Sequence, residues 1–170
     1  MNAKVHQMLN RQITEEFYSA YLYLDFANHF ERAGLEGFAN WYKIQAREES
    51  DHAMLIYQYL QNENQTVTLE AIDEPKIKPE GHLEVLIAGL EHEKLVTSLI
   101  DQIYFAASED KDLRTMKFLD WFVEEQGEEE KSAGDLIVKM ELFGSDPKGL
   151  YALDKDLSLR VYSPPSLILN

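Results

Sequence analysis

Four long stretches of this chain repeat apolar residues at spacings of three and four, with few glycines or prolines between them, a pattern that commits the fold to amphipathic helices. The pattern predicts helices over about 3–33, 35–63, 80–108 and 112–143, with Gly34 and Gly144 as stops, and a short fifth helix over 147–158. The last residues, VYSPPSLILN, carry two prolines and no period, so residues 159–170 are expected to be loosely held. A chain of 170 residues, 45% of them hydrophobic, has material for one packed domain over 1–170.

Connection lengths then set the topology. Helices joined by a few residues are antiparallel neighbours, which applies to the first pair and to the third with the fourth. The segment 64–79 is different, because extended at about 3.3 Å per residue it reaches roughly 50 Å. The second helix rises only about 43 Å at 1.5 Å per residue. The segment can therefore return along the whole bundle, making the second and third helices parallel. The expected fold is all-α: a four-helix bundle with one long crossover and a short fifth C-terminal helix.

Each helix then has one inward seam, and every seam is broken near its middle by polar residues. The first runs through Leu9, Ile13, Glu16, Ala20, Tyr23, Ala27 and Phe30; the second through Phe38, Tyr42, Gln45, Glu49, His52, Ile56 and Tyr59. The third is Leu83, Leu86, Leu90, Glu93, Thr97, Ile100 and Tyr104, and the fourth Leu119, Phe122, Gln126, Glu129, Ala133, Leu136 and Met140. Since the breaks lie at mid-length, Glu16, Glu49, His52, Glu93, Gln126 and Glu129 should meet at one height. Any one of them alone reads as a satisfied polar residue of the core. Four carboxylates together would each cost several kcal/mol in desolvation and would repel one another. No Lys or Arg occupies the seams, so the neutralising charge must come from protons or metal ions.

Composition narrows the metal. There is no cysteine, which excludes thiolate zinc sites and cysteine-ligated clusters and leaves O and N ligands. Oxygen-rich ligation with a single imidazole suits iron or manganese, iron first. Glu16, Glu49 and His52 can hold one ion, and a second can share Glu49 and add Glu93, with Gln126 or Glu129 nearby. The 31 acidic residues against 16 basic ones give a formal charge of -15, which attracts cations and argues against nucleic acid and anionic membrane surfaces as partners. With no apolar signal core or membrane-length run, the cytoplasm is the expected compartment.

The pieces EEFYSAYLYL (15–24), GFANWYKIQAREESDHAM (37–54), LEHEKLVTSLIDQIY (90–104) and FLDWFVEEQGEEEK (118–131) resemble the prokaryotic non-haem ferritins, and the similarity covers about residues 5–158. The resemblance implies the ferritin-like fold and iron storage with ferroxidase activity, ferrous iron being oxidised by dioxygen or hydrogen peroxide. It implies a first iron site of Glu16, Glu49 and His52 and a second of Glu49, Glu93 and Glu129, with Gln126 adjacent. It also implies a tyrosine beside the centre, Tyr23, supplying an electron or orienting Glu93; plain packing is the alternative. Glu48, Glu125 and Glu128, with Glu129, match a third iron position facing the interior cavity, against the reading of a solvated charge run. Two or three irons per subunit and a homo-oligomeric hollow shell of about two dozen copies follow from the same resemblance.

The competing readings are weaker. Bacterioferritins carry Glu-x-x-His twice and a haem-ligating methionine after the bridging glutamate, whereas Ser50 follows Glu49 here, so no haem is expected and Met54 is read as packing. Rubrerythrins add a cysteine-rich module. A non-catalytic acidic helical interaction protein would have unbroken apolar seams. Among the remaining residues, His6, His29, His82 and His92 are expected at the surface or rim, Trp41 and Trp121 under subunit packing, and Gly89, Gly127 and Gly134 at close helix contacts; Gly127 could instead leave room beside the centre.

Overall fold

A computed structural model describes residues 1–76 and 79–169. Five helices make up the fold: α1 (Ala3–Arg32), α2 (Glu36–Asn62), α3 (His82–Glu109), α4 (Leu113–Phe143) and α5 (Pro147–Leu157). The third starts at His82, two residues beyond the expected Glu80, because Glu80 and Gly81 form a bend.

Helix ends follow from local chemistry. Asn2 caps α1 by accepting from the Val5 amide at 2.8 Å, and Asp112 caps α4 through Thr115. At the C-terminal ends of α1, α2 and α3 the chain turns left-handed at Gly34, Asn64 and Lys111. At each end the next residue's amide reaches back to the third-last carbonyl, as Leu35 does to Phe30. The start of α2 has no cap of its own. Asp154 of α5 supplies one, its Oδ1 accepting from the Gly37 and Phe38 amides at 2.7 and 3.1 Å. That approach demands a glycine at 37, where a Cβ would lie 1.7 Å from the Asp154 carbonyl oxygen.

Contacts fix the bundle's directions. Ser19 meets His92, Tyr23 meets Glu93 and His29 meets His82, so α1 and α3 are antiparallel. Gln45 meets Glu129 and Tyr59 meets Thr115, so α2 and α4 are antiparallel as well. With α1 and α2 joined by a tight turn, α2 and α3 run parallel, as the long crossover requires. The crossover is laid along α1: Asn10 holds the Thr68 amide at 2.6 Å, and Arg11 pairs with Glu70 at 2.7 Å. Residues 77 and 78 of that crossover lie outside the described residues.

The core is divided. One apolar cluster gathers Phe30, Phe38, Tyr42 and Leu86 at the α5 end, and another gathers Leu9, Ile56, Tyr59, Phe118 and Phe122 at the opposite end. Between them lies the polar waist. The seams of α1, α2 and α4 face inward as expected. On α3 the buried face is broader and rotated, with Val85, Gly89, His92, Val96 and Ile103 buried while Leu83, Leu90, Thr97 and Tyr104 are half-buried. Among the described residues no helix is long and apolar enough to cross a membrane.

The C-terminal segment departs from expectation. Residues 159–169 have no regular structure, but they are tied down. Arg160 stacks on Trp41 and pairs with Glu48, Tyr162 donates to Asp51 at 2.6 Å under the Arg47 guanidinium, and Trp121 donates to Ser166 at 2.9 Å. Both tryptophans are thus covered by the chain's own tail. Asn170 lies outside the described residues.

Candidate metal centre

At the waist α1 supplies Glu16, α2 supplies Glu49 and His52, α3 supplies Glu93, and α4 supplies Gln126 and Glu129; all six are buried. Glu49 and His52 lie three apart on one helical face, with His52 Nδ1 3.5 Å from Glu49 Oε2. One ligand atom each from Glu16, Glu49 and His52 lies within 4.8 Å of the others, close enough to hold one cation. Among the described residues no second trio is as tight. The reason is visible in the hydrogen bonds. Tyr23 donates its hydroxyl to Glu93 Oε1, Gln126 donates to Glu93 Oε2 at 3.3 Å, and Gln45 donates to Glu129 Oε2 at 2.7 Å. These amides and the phenol fix Glu93 and Glu129 while leaving Glu49 bare.

Glu49 is the extreme case. Neither of its oxygens has a hydrogen-bond partner although both are buried, and Glu16 Oε2 is bare as well. Glu16 Oε1 is occupied by Gln12 at 2.9 Å. Burial pushes the Glu49 carboxyl well above the ordinary carboxylate range, and Glu93, Glu16 and Glu129 push it further. Burial likewise raises Glu16, against the opposing pull of His52. Glu93 is raised to about 8 by burial and by Glu129. Bare buried anions that repel one another are stable only when a proton or a cation joins them.

Aromatic rings frame the centre. Trp121 and Phe122 stand edge-on to the His52 imidazole at 5.5 and 5.9 Å and set its plane. Tyr23 is fully buried, and burial with the neighbouring Glu93 raises its phenol further, so it stays protonated and donating.

The outer acids form a second, open feature. Glu48, Glu125 and Glu128 share a cavity of about 310 Å³ with His52 and Glu129, so this pocket opens onto the buried centre. Burial raises Glu48 to about 7 against the pull of Arg160, and burial raises Glu125 too.

Six residues escaped the sequence reading or were misplaced by it. His92, expected at the rim, is buried: its Nε2 meets Ser19 Oγ at 2.7 Å, and its ring stands edge-on to Tyr23 at 5.8 Å. Burial lowers His92 to about 4, so it is neutral. The supporting amides of Gln12 and Gln45 were not assigned roles; their i, i+4 and cross-bundle reach to Glu16 and Glu129 was the available signal. Met54, read as packing, is half exposed. A Cβ on Gly89 would meet Tyr42 Oη at 2.8 Å, but Gly127 and Gly134 have nothing within 4 Å, so helix contact does not explain the latter two.

The chain is similar over most of its length to known proteins. The family model for the ferritin-like domain matches residues 6–143. A probable bacterial non-heme ferritin-like protein of Haemophilus influenzae is 37% identical over 92% of this chain and 95% of its own. A bacterial non-heme ferritin of Staphylococcus saprophyticus is 35% identical over 95% of this chain and 97% of its own. The solved structure of an open pore ferritin from Archaeoglobus fulgidus superposes with a TM-score of 0.92 at 42% identity, covering 95% of this chain and 98% of the other. Fold, waist chemistry and relatives agree, and the chain belongs to the ferritin family as a prokaryotic-type non-haem member.

Proposed function

We propose that this chain stores iron and oxidises it on the way in, taking ferrous iron as substrate at the waist. The observation that carries the reading is Glu49, with two bare, buried oxygens, grouped with Glu16 and His52 and repelled by the nearby Glu93. Glu16, Glu49 and His52 hold one ferrous ion. Glu49 bridges to a second held by Glu93 and Glu129, with Gln126 keeping Glu93 in place. Two ferrous ions together release two electrons, which with two protons reduce dioxygen to hydrogen peroxide, or peroxide to two waters. Tyr23 orients Glu93 through its hydroxyl. Should it also supply an electron, its proton has an acceptor in Glu93 Oε1. The outer acids Glu48, Glu125, Glu128 and Glu129 take a third ion.

The same reading extends to a homo-oligomeric hollow shell of about two dozen copies, haem-free and cytoplasmic, in which the ferric product accumulates. Exposed apolar side chains on the outer helix faces, among them Tyr21, Leu24, Leu95 and Phe105, give such copies surfaces to bury. The test is direct. Ferrous iron added anaerobically and then exposed to dioxygen should oxidise rapidly at two ions per chain, and anomalous scattering from a metal-soaked crystal should place them on Glu16, Glu49, His52, Glu93 and Glu129. Ions found only at the surface would overturn the proposal.

A further inference from the structure

Beyond α5 the chain does not leave the bundle. It runs along the outer face of α2, with Asn40 donating to the Arg160 carbonyl at 3.0 Å, Tyr162 fixed to Asp51, and Gln58 donating to the Leu169 carbonyl at 3.3 Å. Its middle, Ser163 to Ser166, bridges to Trp121 of α4 and walls the acidic cavity that opens onto His52 and Glu129. The strap therefore spans the groove between the two helices that supply the outer acids.

Arg160 is the strap's charged element. Its guanidinium lies 4.0 Å above the Trp41 ring, donates to Glu48 Oε2 at 2.7 Å, and reaches the Trp41 carbonyl at 3.4 Å. The pair is largely shielded, at 23% exposure for Arg160 and 15% for Glu48. Among the described residues, Glu125, Glu128 and Glu129 have no such counter-ion, although they line the same cavity. A planar cation held by a ring on one side and a carboxylate at its edge is well determined. It sits where a ligand oxygen of Glu48 would otherwise be free.

We propose that Arg160 is the pocket's internal counter-ion, a charge that a divalent cation must displace from Glu48 before all the outer acids can bind it. The inference rests on the outer ion position proposed above. Its consequence is a weak and exchangeable outer site: the strap lowers affinity there without touching the buried pair, so an ion can pass through instead of being trapped.

Arg160→Gln and Glu48→Gln separate the two ideas, with Zn²⁺, which does not oxidise, titrated calorimetrically into the assembled full-length protein. Arg160→Gln should tighten the outer site roughly tenfold, the scale of a hydrogen-bonded ion pair discounted for partial screening, and leave the buried pair's affinity unchanged. Glu48→Gln should weaken or remove the outer site. If Glu48→Gln weakens it while Arg160→Gln changes nothing, the outer site stands and the counter-ion role is overturned. If neither variant alters zinc binding while the buried pair fills normally, the outer site falls and this inference with it.

Discussion

At the two ends of the bundle the inward faces are Phe30, Phe38 and Tyr42 on one side and Leu9, Ile56 and Phe118 on the other; between them the same helices present Glu16, Gln45, Glu49, His52, Glu93, Gln126 and Glu129. The ends are held by close ring packing, such as Tyr59 on Phe118 at 4.0 Å and Phe30 on Phe38 at 4.9 Å. The waist offers the opposite: buried oxygens without partners on Glu16 and Glu49. The difference teaches that fold and chemistry are carried by different residues of one seam. Apolar ends on both sides hold the carboxylates at a spacing that their own repulsion would not maintain.

The sharpest break of that comparison is Glu49→Gln. It keeps the shape of the waist while removing the carboxylate proposed to bridge two ions, so rapid ferrous oxidation should fall by at least about 100-fold, the upper scale for disturbing a metal's surroundings. Stability of the metal-free protein near neutral pH should rise, by about 1–3 kcal/mol, because folding no longer has to bury and protonate a carboxylate that is ionised in the unfolded chain. Stopped-flow oxidation and denaturant unfolding read the two effects. Oxidation at the parental rate would show that the waist is not the site.

Phe30→Ala makes the complementary test at an end. Phe30 is fully buried and stacks on Phe38 and Tyr42, so its loss should cost about 3–5 kcal/mol. Zinc affinity per folded chain at the waist should be unchanged. A large loss of affinity would mean that the two regions are not separable.

A pH series contrasts the regions without mutation. Glu93, raised to about 8, and Glu16 and Glu49, also raised, bind more protons folded than unfolded. The sign follows: the contribution of these three groups to metal-free stability is fully present below the ordinary carboxylate range near pH 4.5 and is lost as pH rises toward 8, by an amount on the order of a few kcal/mol. Saturating Zn²⁺ should reverse the slope over the same window, because the cation takes the proton's place. Melts that fall with pH equally with and without zinc would contradict this account.

Sequence spacing exposed the ends and the waist to different degrees. On α1, α2 and α4 one three-four stripe accounts for the inward face, so Glu16, Glu49, His52, Gln126 and Glu129 could be named from it. On α3 the stripe through Leu86, Leu90, Glu93 and Thr97 names Glu93, but the buried Val85, Gly89, His92, Val96 and Ile103 lie to one side of it, which is why His92 was expected at the rim. The long crossover was legible because length alone limits where it can go. The C-terminal strap was not, since Arg160 on Trp41 and Tyr162 on Asp51 are single pairwise contacts with no period. The Asp154 cap on α2 is invisible for the same reason: it joins residues more than 100 apart in the chain.

The smallest expected effect concerns Gly127, which sits between Gln126 and Glu128 on α4 and has helical backbone. An added Cβ would meet nothing within 4 Å, so Gly127→Ala carries no steric cost in the protomer. It should stabilise α4 by about 1 kcal/mol or less, the ordinary difference in helix propensity. Because residue 127 is exposed while Gln126 and Glu129 are buried, the change points away from the waist and oxidation kinetics should stay at the parental rate. A slowed reaction in a variant with equal or greater stability would show that the open space at 127 serves ion movement, and the waist would then extend outward to the helix surface.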